Sequence, residues 1–444
     1  MLDNELHISK NSKALAISLV SPQLQSHKDE NETRRSINEL KELLKTLEVP
    51  CTHEVIQNRR NVDPATILGS GKIEEIATLA KENDIDLLVF DIELTASQIR
   101  NIKKISNISV IDRCHVILEI FSKHAHTKEA RIQIEIARLQ YLLPRLSGFW
   151  SHFSRQKGGI GVRGGEGEQQ IELDRRIVRQ RIEHYKRELL DVQKSREQQR
   201  KKRQNKAVTA ALVGYTNAGK SSLLNSLCKV QVKSEDKLFA TLDATFRMLN
   251  PDTKPPMILI DTVGFISNLP NTLIDGFKTT LESALEADLL VIVCDISDPH
   301  LEKHIDVTLS VLEDLNLQEK DKFFVFNKRD ILKDPLKAQI LRRKYPDSFL
   351  ISSLDKNDVS KLRSHIINYF LEKQDHYDLF IPYDEGLAHS QVVSLANVVS
   401  HSNHEKGIYY RVRTPDFIFN QSELKKYILG PEQLENLGSP LKDH

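Results

Sequence analysis

The chain has 444 residues, 39% of them hydrophobic and 28% charged, a composition that supports several packed cores and excludes a disordered chain. Its 63 basic and 62 acidic residues leave a formal charge of +1, which excludes a uniform polyanion-binding coat. The four cysteines stand tens of residues apart with no C-x-x-C pair, so neither a disulfide framework nor a zinc knuckle is expected.

Residues 1–125 read as an N-terminal α/β domain. The strands KALAISLV, CTHEVIQ, DLLVF and SVIDRC alternate with helices through ELKELLKTL and KIEEIATLAKEN. The opening MLDNELHISKNSK has no apolar stretch of the signal-peptide kind, and the most apolar run, LLVIVC at 289–294, is too short to span a bilayer. A cytoplasmic protein is expected, with any membrane association peripheral. Gly69-Ser70-Gly71-Lys72 carries part of a phosphate-loop pattern but lacks its spacing, and reads as a strand-to-helix turn.

Residues 126–205 read as a helical hairpin. Apolar residues recur at helical spacing at Ile132, Ile136, Leu139 and Leu143, and again at Ile171, Val178, Ile182, Tyr185, Leu189 and Val192. Between them, 147–167 holds seven of the chain's 17 glycines together with Phe149, Trp150, Phe153, Arg155, Lys157 and Arg163. Glycines there would weaken a helix by about 1 kcal/mol each, so an exposed tip is expected. Residues 131–206 carry 19 basic and 9 acidic side chains, a net +10, which leaves −9 on the other 368 residues. A basic arm with aromatic and guanidinium groups at its end suits unpaired RNA bases. The G-x-G-x-x-G letters at 159–164 follow no strand and read as part of this tip, not as a dinucleotide site.

Residues 206–374 read as a nucleotide-binding domain. The run AVTAALV leads into Gly214, Tyr215, Thr216, Asn217, Ala218, Gly219, Lys220 and Ser221, then SLLNSL: strand, glycine loop and helix in the order a phosphate loop requires. Loop N–H groups and Lys220 would meet phosphates, and the Ser221 hydroxyl would meet magnesium. PMILID ends in Asp261, Thr262, Val263 and Gly264: a carboxylate for magnesium, then a glycine whose N–H can sense the γ-phosphate. Between these motifs KLFATLDATF offers Thr241 or Thr245 as a hydroxyl that orders the segment around the triphosphate. FFVFN ends in Asn327, Lys328, Arg329 and Asp330. The Asp330 carboxylate can accept from guanine N1–H and its 2-amino group, a donor pair adenine lacks. Ser352, Ser353 and Leu354 follow the next strand and can close over the base.

These motifs resemble the TRAFAC-class GTPases. The stretches ILGSGKIEEI, IDRCHVILEIFSKHAHTKEARIQIEIARLQYLLPRL, SRQKGGIGVRGGEGEQQIELDRR, GYTNAGKSSLLN and KLFATLDATFR extend the likeness, from roughly Thr66 to Phe380, to the HflX family of ribosome-associated GTPases. The resemblance implies a multidomain α/β protein in which a P-loop G domain with a mainly parallel sheet follows the α/β domain and hairpin and precedes a small α/β domain at 375–444. It implies Phe239, Ala240, Thr241, Leu242 and Asp243 as the first switch, with Thr241 joining Ser221 and Asp261 on magnesium. It further implies large-subunit ribosomal RNA as the partner of the tip and the splitting or rescue of stalled or stress-inactivated ribosomes. GTP and GDP are the ligands expected from the motifs, DNA is not expected as a partner, and a monomer is expected. Two departures stand out: Gly165-Glu166-Gly167-Glu168 where the family has G-P-G-E, and Ser222 where threonine is common.

Lys220, Thr241 and Gly264 are the expected catalytic set. Where Ras-like enzymes carry a water-orienting glutamine this chain has Phe265, followed by Ile266, and an apolar side chain cannot hydrogen-bond water. Slow intrinsic hydrolysis is expected, with the ribosome supplying the missing group, or Asn268 acting in cis. A large-subunit assembly GTPase, or an RNA-remodelling NTPase with a second nucleotide site at Gly69–Lys72, would share most of these features. The last segment reads as a strand at LFIPY, a helix through GLAHSQVVSLANVV and a strand at GIYYRVRTP, a βαβ-like appendage whose histidines, His376, His389, His401 and His404, are solvated.

Overall fold

The computed structural model describes residues 12–24, 27–146, 166–204, 207–228, 239, 244–250, 253–266 and 287–430. By internal contacts the described residues form two units. One holds those up to Gln193 with Phe239 and Val263–Ile266; the other holds the remainder.

The first unit is built on a parallel sheet of β1 (Ala14–Val20), β2 (Cys51–Asn58), β3 (Leu87–Phe90) and β4 (Ser109–Asp112) in the order β2-β1-β3-β4. Helices α1 (Glu30–Thr46), α2 (Ser70–Glu82) and α3 (Ala96–Ser106) connect the strands. Leu15, Ile17, Leu88 and Phe90 of the strands pack with Ile73, Ile76 and Ile102 of α2 and α3. Helix α3 escaped the periodicity reading. It is announced instead by a capping box, in which the Thr95 hydroxyl accepts from the Gln98 N–H while the Gln98 side chain accepts from the Thr95 N–H.

The strand expected to run through SVIDRC stops at Asp112. The Asp112 carboxylate accepts from the His115 N–H at 3.0 Å and so starts helix α4 (Arg113–His124) two residues early. Gly69 precedes α2 as its cap residue, and Lys72 pairs with Glu75 at 2.6 Å one turn on. Asp91, just past β3, is fully buried between His27 (2.9 Å) and Arg113 (2.8 Å), with Glu39 also on Arg113. Helix α5 (Lys128–Leu142) and helix α6 (Glu166–Gln204) bring Ile132, Ile136 and Leu139 against Val178 and Ile182, the spacing read from the sequence. The glycine-rich tip at 147–165 lies outside the described residues.

The second unit holds a six-stranded sheet in the order β10-β9-β8-β5-β7-β6. Strands β5 (Val208–Val213), β7 (Met257–Asp261), β8 (Leu289–Asp295), β9 (Lys322–Asn327) and β10 (Phe349–Leu350) run parallel; β6 (Thr245–Asn250) is antiparallel to β7. Helices α7 (Lys220–Leu227), α8 (Leu301–Asp314), α9 (Pro335–Lys344) and α10 (Lys356–Glu372) accompany it. Leu212, Val291, Val293 and Val325 pack with Leu223 and Leu227 of α7 and Leu362 and Ile366 of α10. Because all parallel strands end on one edge, Gly214, Asp261, Asp295 and Asn327 arrive together there, the position at which open α/β sheets bind ligands.

The appendage departs from the βαβ expectation. β11 (Asp375–Pro382), β12 (Asn397–His404) and β13 (Gly407–Thr414) form an antiparallel sheet in the order β11-β13-β12, and α11 (Gly386–Leu395) ends before Asn397. The β-branched pair Val398 and Val399 favours a strand, and the turn at Glu405-Lys406 returns β12 along β13 as a hairpin. His389 is bonded within the chain at both ring nitrogens, to the Tyr410 hydroxyl (3.0 Å) and the Pro382 carbonyl (2.9 Å), and so is not solvated as the sequence reading had it. A short helix, α12 (Asp416–Gln421), closes this part.

Candidate functional site

Strand β5 delivers the chain to Gly214, whose φ of +145° and close approach to the Val293 carbonyl leave no room for a Cβ. The loop turns through Asn217, itself at positive φ and exposed, to Gly219 (φ +88°), where a Cβ would strike the Asn327 amide. Helix α7 begins at Lys220, so the loop's N–H groups and the positive end of a helix converge on one concavity.

Lys220 is buried, and its Nζ donates to the Gly214 (3.1 Å) and Tyr215 (2.8 Å) carbonyls. Burial lowers its ammonium to about 8, against an opposing pull from the Asp261 carboxylate. The Ser221 hydroxyl donates to Asp261 Oδ2 at 2.6 Å. Thr262 Oγ1 donates to the Leu212 carbonyl at 2.7 Å, which fixes the end of β7 to β5. A hydroxyl and a carboxylate at hydrogen-bond distance beside a phosphate cradle form a hard, all-oxygen donor set of the kind magnesium takes.

On the other side of the loop, Asn327 is fully buried. Its Nδ2 donates to the Ala218 carbonyl (3.1 Å), and its Oδ1 accepts from the Ser353 N–H (2.9 Å). The Ser352 N–H is held by Asp358 (2.9 Å), and the Leu354 N–H by the Ser352 hydroxyl (3.3 Å). Lys328, at φ +64°, pairs with Asp295 at 2.7 Å. Asp330 stands exposed in the 3-10 turn Arg329–Ile331, its carboxylate available to a base, and Leu354 is 81% exposed beside the Ser353 turn.

The structure thus brings together Gly214–Ser221, Asp261, Thr262, Asn327, Lys328, Asp330 and Ser352–Leu354. Val263 and Gly264 continue directly from Thr262 but group by contacts with the first unit, as does Phe239, and Phe265 is buried. Ala240, Thr241, Leu242 and Asp243, like Asn268, lie outside the described residues, while the alternative Thr245 opens β6 opposite Asp261. Sequence reasoning passed over Asp295 and Asp358. Asp295 closes the apolar run LLVIVCD, and a carboxylate at the end of a central parallel strand is the signal that would have found it. Asp358 gave no comparable signal, since its role comes from the folding of α10 back onto the Ser352 turn.

Three family models match the chain: GTP-binding GTPase N-terminal over residues 34–122, GTP-binding GTPase Middle Region over 124–203, and 50S ribosome-binding GTPase over 209–328. A protein named GTPase HflX from Alkalihalophilus pseudofirmus is 41% identical over 82% of this chain and 85% of its own length. Another of that name, from Flavobacterium psychrophilum, is 47% identical over 68% of this chain and 74% of its own. A GTP-binding protein from the archaeon Sulfolobus solfataricus, solved with GDP, aligns at 22% identity and a TM-score of 0.43 over 80% of this chain and 99% of that one.

Proposed function

We propose, from the premise that this chain belongs to the HflX family of GTPases and hydrolyses GTP, that it is a ribosome-binding factor whose nucleotide state governs its grip on the large subunit. The observation that carries this reading is the basic helix α6. Its 39 residues span about 58 Å and present Arg176, Arg179, Arg181, Lys186, Arg187 and Lys194 to solvent, within the 131–206 stretch whose net charge is +10. Such a stripe binds a phosphate backbone by releasing its counterions.

In this reading the loop N–H groups and Lys220 hold the β- and γ-phosphates, and Asp330 selects guanine through two accepted hydrogen bonds. Ser221 and Asp261 would hold magnesium, with Thr241 joining them from the first switch. Magnesium supplies charge neutralisation to the phosphate oxygens. Asn327 keeps the phosphate loop and the Ser352–Leu354 turn in register, and Gly264 offers its N–H to the γ-phosphate. Phe265 has no group to orient water, so the ribosome completes the site, and turnover is slow without it.

GTP binding orders the switches and favours the ribosome-bound state. The basic hairpin then enters between RNA elements of the large subunit and splits stalled or stress-inactivated ribosomes, and hydrolysis weakens the grip. Only differential affinity between the two nucleotide states is needed.

The test is GTP turnover by the protein alone, with isolated large subunits and with intact ribosomes, run beside sucrose-gradient sedimentation in a non-hydrolysable GTP analogue. Strong stimulation with release of free subunits is expected. Fast turnover in isolation, with ribosomes left intact, overturns both the splitting role and the partner-completed site. Preferential stimulation by immature large subunits would move the assignment to assembly.

A further inference from the structure

We propose that His304, held in place by Asp298, is a positioning residue for the nucleotide: its ring stacks on Tyr215 and sets the backbone of the phosphate loop. Tyr215 is the second residue of that loop and is 7% exposed. The His304 ring, from the first turn of α8, lies parallel to the tyrosine ring with centroids 3.7 Å apart and an interplanar angle of 7°. The Tyr215 carbonyl accepts from Lys220 Nζ, so wherever the stack places Tyr215 it also places an acceptor for the lysine that serves the phosphates.

The plane of the imidazole is itself fixed. His304 Nδ1 stands 3.3 Å from Asp298 Oδ2, while Asp298 Oδ1 accepts from the His300 N–H at 2.7 Å. The Asp298 carbonyl accepts from Lys337 Nζ of α9 at 2.6 Å. Burial alone would raise the Asp298 carboxyl, but the bonds from His304 and the His300 N–H outweigh it and hold the group below the usual carboxylate range. A chain of contacts therefore runs from α9 through Asp298 and His304 to the phosphate loop.

On that side the loop has few side chains of its own to pack. Gly214 and Gly219 have no side chains, Asn217 is exposed, and a cavity of about 70 Å³ lined by Thr216, Ala218, Cys294 and Thr308 lies behind it. Thr216 Oγ1 is buried there with no hydrogen-bond partner among the described residues. A loop that must present several N–H groups at fixed positions loses affinity if it has to be ordered at the moment of binding. The ring stack does that ordering beforehand.

The experiment uses the full chain without ribosomes, which keeps it independent of the ribosome-splitting reading. Calorimetry gives Kd for GTP and GDP, and steady-state assays give kcat and KM, for His304→Ala, His304→Phe, Asp298→Ala, Tyr215→Ala and the Tyr215→Ala/His304→Ala pair. From the usual worth of an aromatic pair, His304→Ala should raise both Kd values and KM by about three- to tenfold, with kcat changed by less than about twofold. His304→Phe, which keeps a flat ring, should recover most of the affinity. The double variant should bind no more weakly than Tyr215→Ala alone, because the two act as one contact.

Wild-type affinity in a folded His304→Ala overturns the proposal, and so does an equal loss in His304→Phe or full additivity of the pair. If His304→Ala does not fold, Asp298→Ala decides. It leaves the ring but removes the carboxylate that fixes its plane, and wild-type affinity there overturns the proposal as well.

Discussion

Asn327 donates to the Ala218 carbonyl at 3.1 Å and so ties the last residue of β9 to the turn that cradles phosphate. Its other end accepts the Ser353 N–H, which makes this one buried amide the joint between the phosphate side and the base side of the site. Asn327→Ala would leave the Ala218 carbonyl and the Ser353 N–H without this partner, at a cost of about 1–3 kcal/mol each. The expected outcome is weaker binding of GTP and GDP alike, by at least about tenfold, together with a lower denaturation midpoint. Calorimetric titration and urea melts check the two halves.

Asp330 presents an exposed carboxylate with two lone-pair faces, which in the proposed site would meet the pair of donors that guanine offers. Asp330→Asn converts one acceptor into a donor, which suits the 2-oxo group of xanthine. We expect GTP to lose, relative to XTP, about 100-fold in kcat/KM, on the scale at which unpaired polar groups discriminate. Competition assays with the two nucleotides measure it. A variant that keeps its preference for GTP would remove Asp330 from the base site.

Burial lowers the Lys220 ammonium to about 8 in the geometry described, whereas bound phosphates would favour its charged form. Well below pH 8 the lysine is protonated before and after binding, so affinity is flat. Above pH 8 binding must take up a proton, and affinity falls as pH rises. At pH 8.5 the uptake should be about three-quarters of a proton, read from calorimetry in buffers of different ionisation enthalpy. No uptake at pH 8.5 would mean that Lys220 does not change its surroundings when nucleotide binds.

Asp91 holds His27 and Arg113 inside the first unit. Asp91→Ala strands part of a buried guanidinium charge, although Glu39 remains on Arg113, and should destabilise that unit by about 3 kcal/mol. Urea unfolding followed by a probe in the first unit measures the loss. GTP affinity is the control and should be unchanged.

Reversing charge at Arg176, Arg179 and Arg181 on α6 leaves the buried Val178 and Ile182 contacts alone. Ribosome affinity should drop, and the slope of log affinity against log salt should flatten by about 2–3, with the intrinsic GTP affinity retained. Pelleting at several salt concentrations gives the slope.

Elements whose signals are local could be read directly from the residues. The phosphate loop is legible because its glycines and Lys220 sit at fixed offsets after an apolar strand, and the hairpin because Ile132, Ile136 and Leu139 repeat at the helical period. Local signals also misled where two structures share one composition: SVIDRC reads as a strand until Asp112 turns back to cap a helix, and ANVV reads as helix until β13 lies alongside it. Which distant residues meet is set by the folded chain. Asn327 on the Ser353 N–H, Asp295 on Lys328 and His304 against Tyr215 are pairings made by the parallel sheet, which gathers segments far apart in the chain onto one edge. No period or motif records such a pairing, because its energy comes from burial and register and not from spacing along the chain.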